Sequence, residues 1–330
     1  MTKLKIGVIG TGHLGKLHTK MFQQISNAEL AGIYDSNPDN LSHVSKEFNT
    51  RAFGSVNELL ENVDAVSIAV TTSEHFKVAF QCLESNKHVF IEKPITSLII
   101  EGEKLVSLAT DKKLFIQVGH IERFNPALLA VEEYIIQPMF IQSDRLAQFN
   151  PRGTDVAVVL DLMIHDIDII LSLIKSEVSH IDASGVAVVS DNIDIANARI
   201  QFVNGAVANV TASRISQKKM RKMRLFQKDN YISLDFIAGV AEVYRLVSAE
   251  KQLLTPAISF GEIGVGDKKK RVIYEQPEIK EVNALKYELE LFVNSVLEKK
   301  NPVVTGDDGL RALKVAEIII EKIEESKVNV

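Results

Sequence analysis

The stretch KLKIGVIGTGHLGKLHTKMFQQISNAELAGIYD, residues 3–35, decides the fold of the N-terminal part of the chain. It starts with an apolar run typical of a buried strand, passes through a glycine-rich turn into a segment with helical apolar spacing, and ends in a second strand. The turn has the pattern GxGxxG and consists of Gly10, Thr11, Gly12, His13, Leu14 and Gly15. Asp35 closes the second strand, 20 residues beyond Gly15. Glycine-rich turns are common, but strand, turn, helix and distant acid together are the fingerprint of a dinucleotide-binding Rossmann domain.

The same pattern predicts how a cofactor is held. Glycines let the backbone approach a pyrophosphate at a helix N-terminus, whose partial positive charge favours the anion. Asp35 can accept hydrogen bonds from the adenosine ribose hydroxyls, and its charge repels the 2'-phosphate of NADP. Ser36 and Asn37 follow, with no arginine at hand. The sequence therefore predicts NAD as the cofactor.

Strand and helix patterns continue to alternate up to about Gly119. Residues 64–70 form a nearly continuous apolar strand, as expected where helices cover both faces of a parallel sheet. We predict that residues 71–75 form a loop at the carboxyl end of this strand, the edge where such sheets bind ligands. Thr71 and Thr72 are therefore assigned to the cofactor site. Two roles are open for His75. It either contacts the cofactor or is simply a polar residue at the start of the next helix.

A further strand runs directly into Glu92, Lys93 and Pro94. Proline cannot extend a strand ladder and biases the chain to turn, so Lys93 lies at a fixed corner of the same sheet edge. On spacing alone, Lys93 is either a site residue or a solvated strand end.

Length and composition limit the classes of function. With 330 residues and 46% apolar residues, we expect two domains, each with its own core. The net charge of −5 gives no general attraction to nucleic acid or to anionic membranes, and we expect neither as a partner. The single cysteine, Cys82, and an N-terminus without a signal segment favour a cytoplasmic protein.

The second domain, residues 121–330, is predicted to be α+β. From Val178 to Tyr274, short runs of period two are separated by turn residues, and Asn204-Gly205 is a strong hairpin signal. These strands predict an open, mostly antiparallel sheet with one face buried by a long helix. Self-association would cover the other face, so we expect a homodimer or homotetramer through this sheet. Whether the last two helices pack back on the first domain, residues 1–120, stays open.

The long helix is the stretch VAVVLDLMIHDIDIILSLI, residues 156–174. Its apolar residues recur at steps of three and four, which predicts a continuous α-helix with a broad apolar face. A polar stripe interrupts that face and consists of Asp161, His165, Asp168 and Ser172. An acid one turn from a histidine in an apolar helix is costly unless the groups are paired or used. We therefore take Asp161 and His165 as candidate functional residues.

A basic run, residues 218–224 (KKMRKMR), stands out in an acidic protein. Two explanations are open. The run is either a strand edge that charge protects from pairing, or an anion site, because fixed cations suit a diphosphate.

The sequence resembles the glucose-fructose oxidoreductase / inositol dehydrogenase / MocA family through three features: the glycine-rich fingerprint, Glu92-Lys93-Pro94, and the helix with Asp161 and His165. The resemblance spans nearly the whole chain. Within the family, three stretches resemble the branch of UDP-N-acetylglucosamine 3-dehydrogenases: residues 118–126 (VGHIERFNP), 150–155 (NPRGTD) and 213–216 (SRIS). Many relatives have a glycine-rich lead into the helix, whereas residues 155–160 read DVAVVL here.

The resemblance implies roles for individual residues. Lys93 would lie at the nicotinamide and the substrate hydroxyl, His165 would be the acid/base, and Asp161 would orient its imidazole. Glu92 is counted with the cofactor site and would hold the lysine loop. Substrate contacts are expected from Arg123, Asn125 and Arg214, although Arg123 could equally be a structural arginine. No metal ligand is assigned.

The family further implies an NAD-dependent dehydrogenase that oxidises a sugar hydroxyl, with C3 of a UDP-N-acetylhexosamine as the leading substrate. Removing hydride from a carbinol requires its hydroxyl proton to leave, and histidine has the pKa that suits this task. Two alternatives stay open. They are a polyol or free-sugar dehydrogenase of the inositol type, and a non-catalytic dinucleotide-binding regulator of the same fold.

Overall fold

The computed structural model describes residues 3–135, 137–150, 156–248 and 258–327. The strands are β1 (Leu4–Ile9), β2 (Ala28–Tyr34), β3 (Ala65–Ile68), β4 (His88–Glu92), β5 (Ile116–Gly119), β6 (Phe140–Leu146), β7 (Val178–Val186), β8 (Ile195–Phe202), β9 (Val207–Ser213), β10 (Met220–Phe226), β11 (Asn230–Asp235), β12 (Val240–Ser248), β13 (Ile258–Ile263) and β14 (Lys270–Glu275). The helices are α1 (His13–Phe22), α2 (Pro38–Phe48), α3 (Val56–Leu60), α4 (Thr72–Glu84), α5 (Ile99–Lys112), α6 (Pro126–Leu129), α7 (Ile164–Leu173), α8 (Ala284–Glu298) and α9 (Gly306–Lys327).

The chain divides into two compact units, and each consists of two chain segments. The first unit comprises Met1–Phe124 and Asn283–Lys314. The second comprises Asn125–Val282 and Val315–Val330.

The first unit contains a five-stranded parallel sheet with the order β2-β1-β3-β4-β5. The strand order reverses beside β1, which is the feature that marks ligand sites in sheets of this kind. Strands β1, β3 and β4 end at one edge, so the glycine-rich turn, the start of α4 and the Glu92-Lys93-Pro94 corner all lie at that edge. The predicted N-terminal Rossmann domain is thereby confirmed.

Helix α8 completes the core of the first unit. Its residues Leu289, Phe292 and Val293 are fully buried in a cluster with residues of β1, α1 and β4. The rings of Phe90 and Phe292 meet edge to face, with centroids 5.8 Å apart. Burying a side chain of this size contributes roughly 1.5–3 kcal/mol, so α8 adds to the stability of the N-terminal fold.

The second unit contains a nine-stranded sheet with the order β13-β14-β12-β11-β10-β6-β9-β8-β7. Neighbouring strands are antiparallel except β6 and β9, which are parallel. Burial alternates along the strands, as in β8, where Ala196, Ala198 and Ile200 are buried and the residues between them are more exposed. The predicted mostly antiparallel sheet is confirmed.

The predicted continuous α-helix over residues 156–174 is wrong at its start. Residues Val159–Met163 form a π turn, and only Ile164–Leu173 are α-helical. Ahead of the turn, the backbone N–H of Val158 donates to the carbonyl of Ile193, 2.8 Å away, so the chain is tied to its neighbour where the helix begins. Periodicity alone does not reveal the π turn, because one turn with i→i+5 hydrogen bonds leaves nearly the same apolar spacing as an α-helical turn.

A buried ion pair fixes α7 on the sheet. Arg145 on β6 donates from Nε to Asp166 Oδ2 at 2.6 Å and from Nη2 to Asp166 Oδ1 at 3.1 Å. Ser143, two residues earlier on the same face of β6, donates to Asp166 Oδ1 at 2.9 Å. Both charged side chains are 2% exposed. This pair, which sets the register of the helix beside His165, was not predicted from the sequence.

In the part of the chain that the structure describes, no helix combines the length and apolar character needed to cross a membrane.

Candidate active site

The glycine-rich turn needs glycine at two positions for different steric reasons. Gly10 has a φ of +89°, and a Cβ there would lie 2.7 Å from the backbone of Ala69. A Cβ on Gly15 would lie 1.7 Å from the carbonyl oxygen of Gly10, so α1 could not begin so close to β1. A Cβ on Gly12, in contrast, would meet nothing within 4 Å. Gly12 therefore leaves its backbone open to a ligand at the start of α1, as a pyrophosphate requires.

A pocket of about 700 Å³ opens at this turn. Its lining includes the predicted cofactor residues Gly10, Gly12, His13, Leu14, Asp35 and Thr71. The volume lies in the range of small-molecule sites, and the donors and apolar walls fit a dinucleotide. Sequence reasoning missed other lining residues, notably Asn57, Lys77 and Gln81, because α3 and the later turns of α4 carry no motif.

Asp35 is held by the turn it faces. Its Oδ2 accepts from the backbone N–H of Thr11 at 2.6 Å and from the Thr11 hydroxyl at 2.9 Å. Its Oδ1 accepts from the backbone N–H of Asn37 at 2.8 Å. A carboxylate has about four acceptor positions, so Asp35 can still accept from a ribose hydroxyl.

The predicted loop over residues 71–75 is instead the first turn of α4, which starts at Thr72 with Thr71 as its N-cap. The reason is that the apolar spacing of the helix extends back to His75, which is 1% exposed. The imidazole Nδ1 lies 2.9 Å from the carbonyl oxygen of Pro94, and Nε2 lies 3.3 Å from that of Val70. Burial lowers the pKa of His75 below its usual value, with the carbonyl contacts and Glu92 opposing the shift.

The corner that carries Lys93 is tied to α1. The side chain of Glu92, at the end of β4, has Oε1 3.0 Å from Nε2 of His18. The other ring nitrogen of His18 lies 2.7 Å from the hydroxyl oxygen of Ser67 on β3. Gly119 leaves room for this carboxylate, because a Cβ there would lie 3.0 Å from Glu92 Oε1. Sequence reasoning missed His18, although its place one turn beyond Gly15 puts it on the face of α1 that packs on the sheet.

Asp161 lines a second pocket, of about 710 Å³, in the second unit. Asp161 lies in the π turn, and single π turns occur frequently at functional sites. Three cationic side chains share the lining, namely Arg214, Lys219 and Arg221. His165 is the second residue of α7 and is partly exposed. Residues 151–155, which lead toward the helix, lie outside the described part of the chain.

Arg214, predicted as a substrate contact, also holds the helix start. It is 4% exposed. Its Nη2 donates to the carbonyls of Val156 and Ile193, and its Nε lies 3.7 Å from Asp194 Oδ1. The guanidinium therefore forms a fixed wall of the pocket, with most of its charge facing protein acceptors.

Hydrogen bonds lower the pKa of the buried Asp194 carboxyl. Burial alone would raise the pKa of its carboxyl, but donation from the backbone N–H groups of Val188 and Val189 and from both donors of Ser190 lowers it to about 2. The carboxylate beside Arg214 is thus firmly ionised.

The other two predicted substrate contacts have structural partners. Arg123 Nη2 lies 3.8 Å from Oδ1 of Asp308, and Asp308 caps the start of α9. Asn125 caps α6, accepting from the N–H of Ala127 at 3.1 Å, and its amide donates to the carbonyl of Phe236 at 3.3 Å.

The basic run does not lie on a sheet edge. Strand β10 pairs with β6 on one side and with β11 on the other. The explanation by edge protection is therefore wrong, since an internal strand has no free edge. Lys219 and Arg221 are exposed and line the pocket of Asp161, whereas Lys222 lies 3.4 Å from Asp235.

Of the three candidate catalytic residues, Lys93 belongs to the first unit, and Asp161 and His165 belong to the second. Among the described residues, no three His, Cys, Asp or Glu side chains form a group that could hold a metal ion.

Comparisons with known proteins match both parts of the chain to one family. Residues 4–120 match the family described as an oxidoreductase family with an NAD-binding Rossmann fold. Residues 140–232 match the GFO/IDH/MocA C-terminal domain.

Among individual relatives, a UDP-N-acetylglucosamine 3-dehydrogenase from Acidithiobacillus ferrooxidans is 37% identical over 96% of each chain. A solved structure of that dehydrogenase covers 98% of this chain and 99% of its own, with a TM-score of 0.87. A myo-inositol 2-dehydrogenase from Thermotoga maritima is 24% identical, covering 98% of this chain and 97% of its own. A levoglucosan dehydrogenase in complex with NADH and L-sorbose has the same fold, with 18% identity and a TM-score of 0.83.

Proposed function

This chain belongs to the GFO/IDH/MocA family of NAD-binding oxidoreductases, and from that premise we propose that it oxidises a hydroxyl of a sugar nucleotide. The proposed substrate is a UDP-N-acetylhexosamine, and the proposed position is C3. Support comes from the UDP-N-acetylglucosamine 3-dehydrogenase that is 37% identical over 96% of this chain. The cofactor is NAD, and we assign it to the pocket at the glycine-rich turn and Asp35.

The chemistry assigns a task to each candidate residue. Bound NAD accepts the hydride that leaves the carbinol carbon. In our proposal, His165 takes the hydroxyl proton, because an imidazole has the pKa that this transfer requires. Asp161 orients that imidazole and stabilises its protonated form. Lys93 places a positive charge where the alkoxide develops, which lowers the energy of the transition state.

One observation favours a sugar diphosphate over a free polyol. The pocket that contains Asp161 is also lined by the exposed cations Lys219 and Arg221. Cations beside a phosphate form strong charge-assisted hydrogen bonds, whereas a neutral polyol has no negative charge with which they could pair. We therefore assign Lys219 and Arg221 to the diphosphate, with Arg214 as a fixed wall of the pocket. Arg123 and Asn125 stay in the proposal as substrate contacts. Their side chains also make contacts that stabilise the fold.

We further propose that the protein works in the cytoplasm and associates as a homodimer or homotetramer through the nine-stranded sheet. One buried cysteine fits a reducing compartment. Exposed apolar side chains on the sheet, such as Ile258 and Phe260, at 61% and 62%, fit an interface.

The proposal is tested by mass spectrometry of UDP-N-acetylglucosamine after incubation with purified protein and NAD, with and without 2-oxoglutarate as a hydride acceptor. We expect the sugar to lose two hydrogens, and to lose none with the Lys93→Ala variant. Loss only with the keto acid would show that bound NADH is recycled. Turnover of myo-inositol but not of the sugar nucleotide would instead support the polyol alternative, and failure on both would support the regulator.

The diphosphate assignment has its own matched control. Lys219→Gln/Arg221→Gln should raise the KM for the sugar nucleotide on the order of 10-fold or more, because two charge-assisted bonds are lost. Lys218→Gln/Lys228→Gln removes the same charge outside the pocket lining and should leave the KM unchanged. Equal effects of the two pairs would contradict the assignment.

A further inference from the structure

The two residues that flank Lys93 are each held by a buried histidine. Before the lysine, Glu92 Oε1 lies 3.0 Å from His18 Nε2. After it, the carbonyl oxygen of Pro94 lies 2.9 Å from His75 Nδ1. His18 is 0% exposed and His75 is 1% exposed. Neither imidazole can therefore bind substrate directly.

We propose that His18 and His75 are positioning residues that fix where the Lys93 ammonium lies relative to the bound cofactor and the substrate hydroxyl. This inference rests on the role proposed above for Lys93. His18 comes from α1, which starts at the glycine-rich turn, and His75 comes from the first turn of α4, beside the lining residue Thr71. The elements that hold the cofactor thus also hold the lysine corner.

The contacts of the two rings differ, and hydrogen-bond chemistry supports one proton position on His75. For His18, Nδ1 lies 2.7 Å from the hydroxyl oxygen of Ser67, and Nε2 lies 3.0 Å from Glu92 Oε1 as a close polar contact. For His75, burial keeps the ring neutral with one proton, and the shorter contact assigns that proton to Nδ1, facing Pro94. His75 then donates to the residue after Lys93, and His18 contacts the carboxylate of the residue before it.

A displaced lysine should slow the chemical step more than it weakens cofactor binding. A misplacement of about 1 Å can cost on the order of 10²-fold in rate, because charge stabilisation depends on position. The NAD pocket residues keep their own bonds, such as those between Asp35 and Thr11. A positioning role therefore predicts a fall in kcat at an unchanged dissociation constant for NAD.

Position 75 offers a matched pair of variants. In His75→Asn, the amide nitrogen lies near the former Nδ1 and can donate to Pro94. In His75→Gln, it lies near the former Nε2 and faces Val70, so Pro94 loses its donor while a buried amide remains. With UDP-N-acetylglucosamine and NAD, we expect His75→Gln to lose on the order of 10-fold or more in kcat and His75→Asn to recover most of it. The same substitution at an exposed histidine, His43→Gln, should leave kcat unchanged.

A double-mutant cycle with Lys93→Ala separates positioning from general damage. If His75 acts through the lysine, His75→Gln should cost little further activity in the Lys93→Ala background. Losses that multiply in the double variant would overturn the positioning role while leaving the proposed function intact. Wild-type turnover in Lys93→Ala alone would instead overturn the function proposed for Lys93, and this inference with it.

The cycle at position 18 is an independent repeat. His18→Met removes both ring nitrogens, and His18→Gln keeps a polar nitrogen that can face Glu92. Recovery of kcat by His18→Gln, combined with non-additivity against Lys93→Ala, is the expected result. Should His18→Met not fold, the cycle at position 75 decides the question, because both of its variants keep a polar side chain.

Discussion

Single residues determine the chemistry proposed for this protein, and Lys93 and His165 carry most of it. Lys93→Ala and His165→Ala should each lower kcat on the order of 10²-fold or more, since proton transfer and charge stabilisation contribute that much. Both variants should bind NAD with the wild-type dissociation constant, as measured by fluorescence titration. Wild-type turnover in His165→Ala would show that another group is the base.

We propose that Asp35 controls which cofactor is used. Asp35→Asn removes a charge that accepts from Thr11 and should weaken NAD binding on the order of 10-fold, because hydrogen bonds to charged groups are worth roughly 1.5–3 kcal/mol. The same change removes the repulsion of a 2'-phosphate, so the ratio of kcat/KM for NADP to that for NAD should rise. Asp39→Asn, an exposed acid on α2, is the control. An unchanged ratio in Asp35→Asn would contradict the role of the charge.

At this scale the sequence predicted residues that have a motif and missed residues that act through tertiary contacts. Asp35, Gly12 and Thr71 were assigned from the motif and its surroundings, and they line the pocket that we assign to NAD. His18 could not be assigned, because its partners Ser67 and Glu92 lie 49 and 74 positions away in the chain.

Elements keep their place through a few buried polar bonds, and α7 is the main example. Asp166→Asn takes away the buried carboxylate charge that pairs with the guanidinium of Arg145 and should lower the free energy of unfolding by roughly 3–5 kcal/mol. The apolar double variant Arg145→Met/Asp166→Leu should cost much less, because no unpaired charge stays buried. Urea denaturation measures both. The exposed pair of Lys322 and Glu325 provides the control, where Glu325→Gln should have little effect on the free energy of unfolding.

The turn before β8 should contribute stability that depends on pH. The folded pKa of Asp194 is about 2, below the value near 4 of an unfolded chain. The carboxylate therefore stabilises the fold fully above about pH 4, by on the order of 2–3 kcal/mol, and this contribution is lost as pH falls toward 2. The difference in unfolding free energy between wild type and Asp194→Asn should accordingly shrink between pH 5 and pH 3. A difference that stays constant over this range would contradict the assigned pKa, and Asp191→Asn, at an exposed acid, is the control.

Elements were predictable from the sequence where local pattern decides them. The alternation in β8 and the fingerprint around α1 determine their own structure. The π turn at Val159–Met163 was not predictable, because it depends on contacts that Arg214 and Ile193 make from elsewhere in the chain. The sequence also did not predict that β10 lies inside the sheet, because the strands that pair with it are determined by the tertiary fold.

Stability of the first unit as a whole can be followed through Cys82. The thiol is 0% exposed, and burial raises its pKa to about 12, so it should not react with iodoacetamide in the native protein. Labelling should require opening of the unit, and NAD at 100 times its dissociation constant should slow it up to about 100-fold by stabilising the closed form. Mass spectrometry measures the labelled fraction. A rate unaffected by NAD would mean that the thiol becomes exposed while the NAD pocket stays intact.

The return of α8 to the first unit has a consequence for biosynthesis. Phe292 packs on Phe90 in a core that otherwise forms from residues near the N-terminus. At about 5–20 residues per second, a ribosome reaches the end of α8 roughly 15–60 s after it starts. Until then, the nascent chain exposes the apolar surface that α8 later covers. Ribosome-bound chains ending before Asn283 should therefore bind chaperones that recognise apolar segments, and full-length chains should release them.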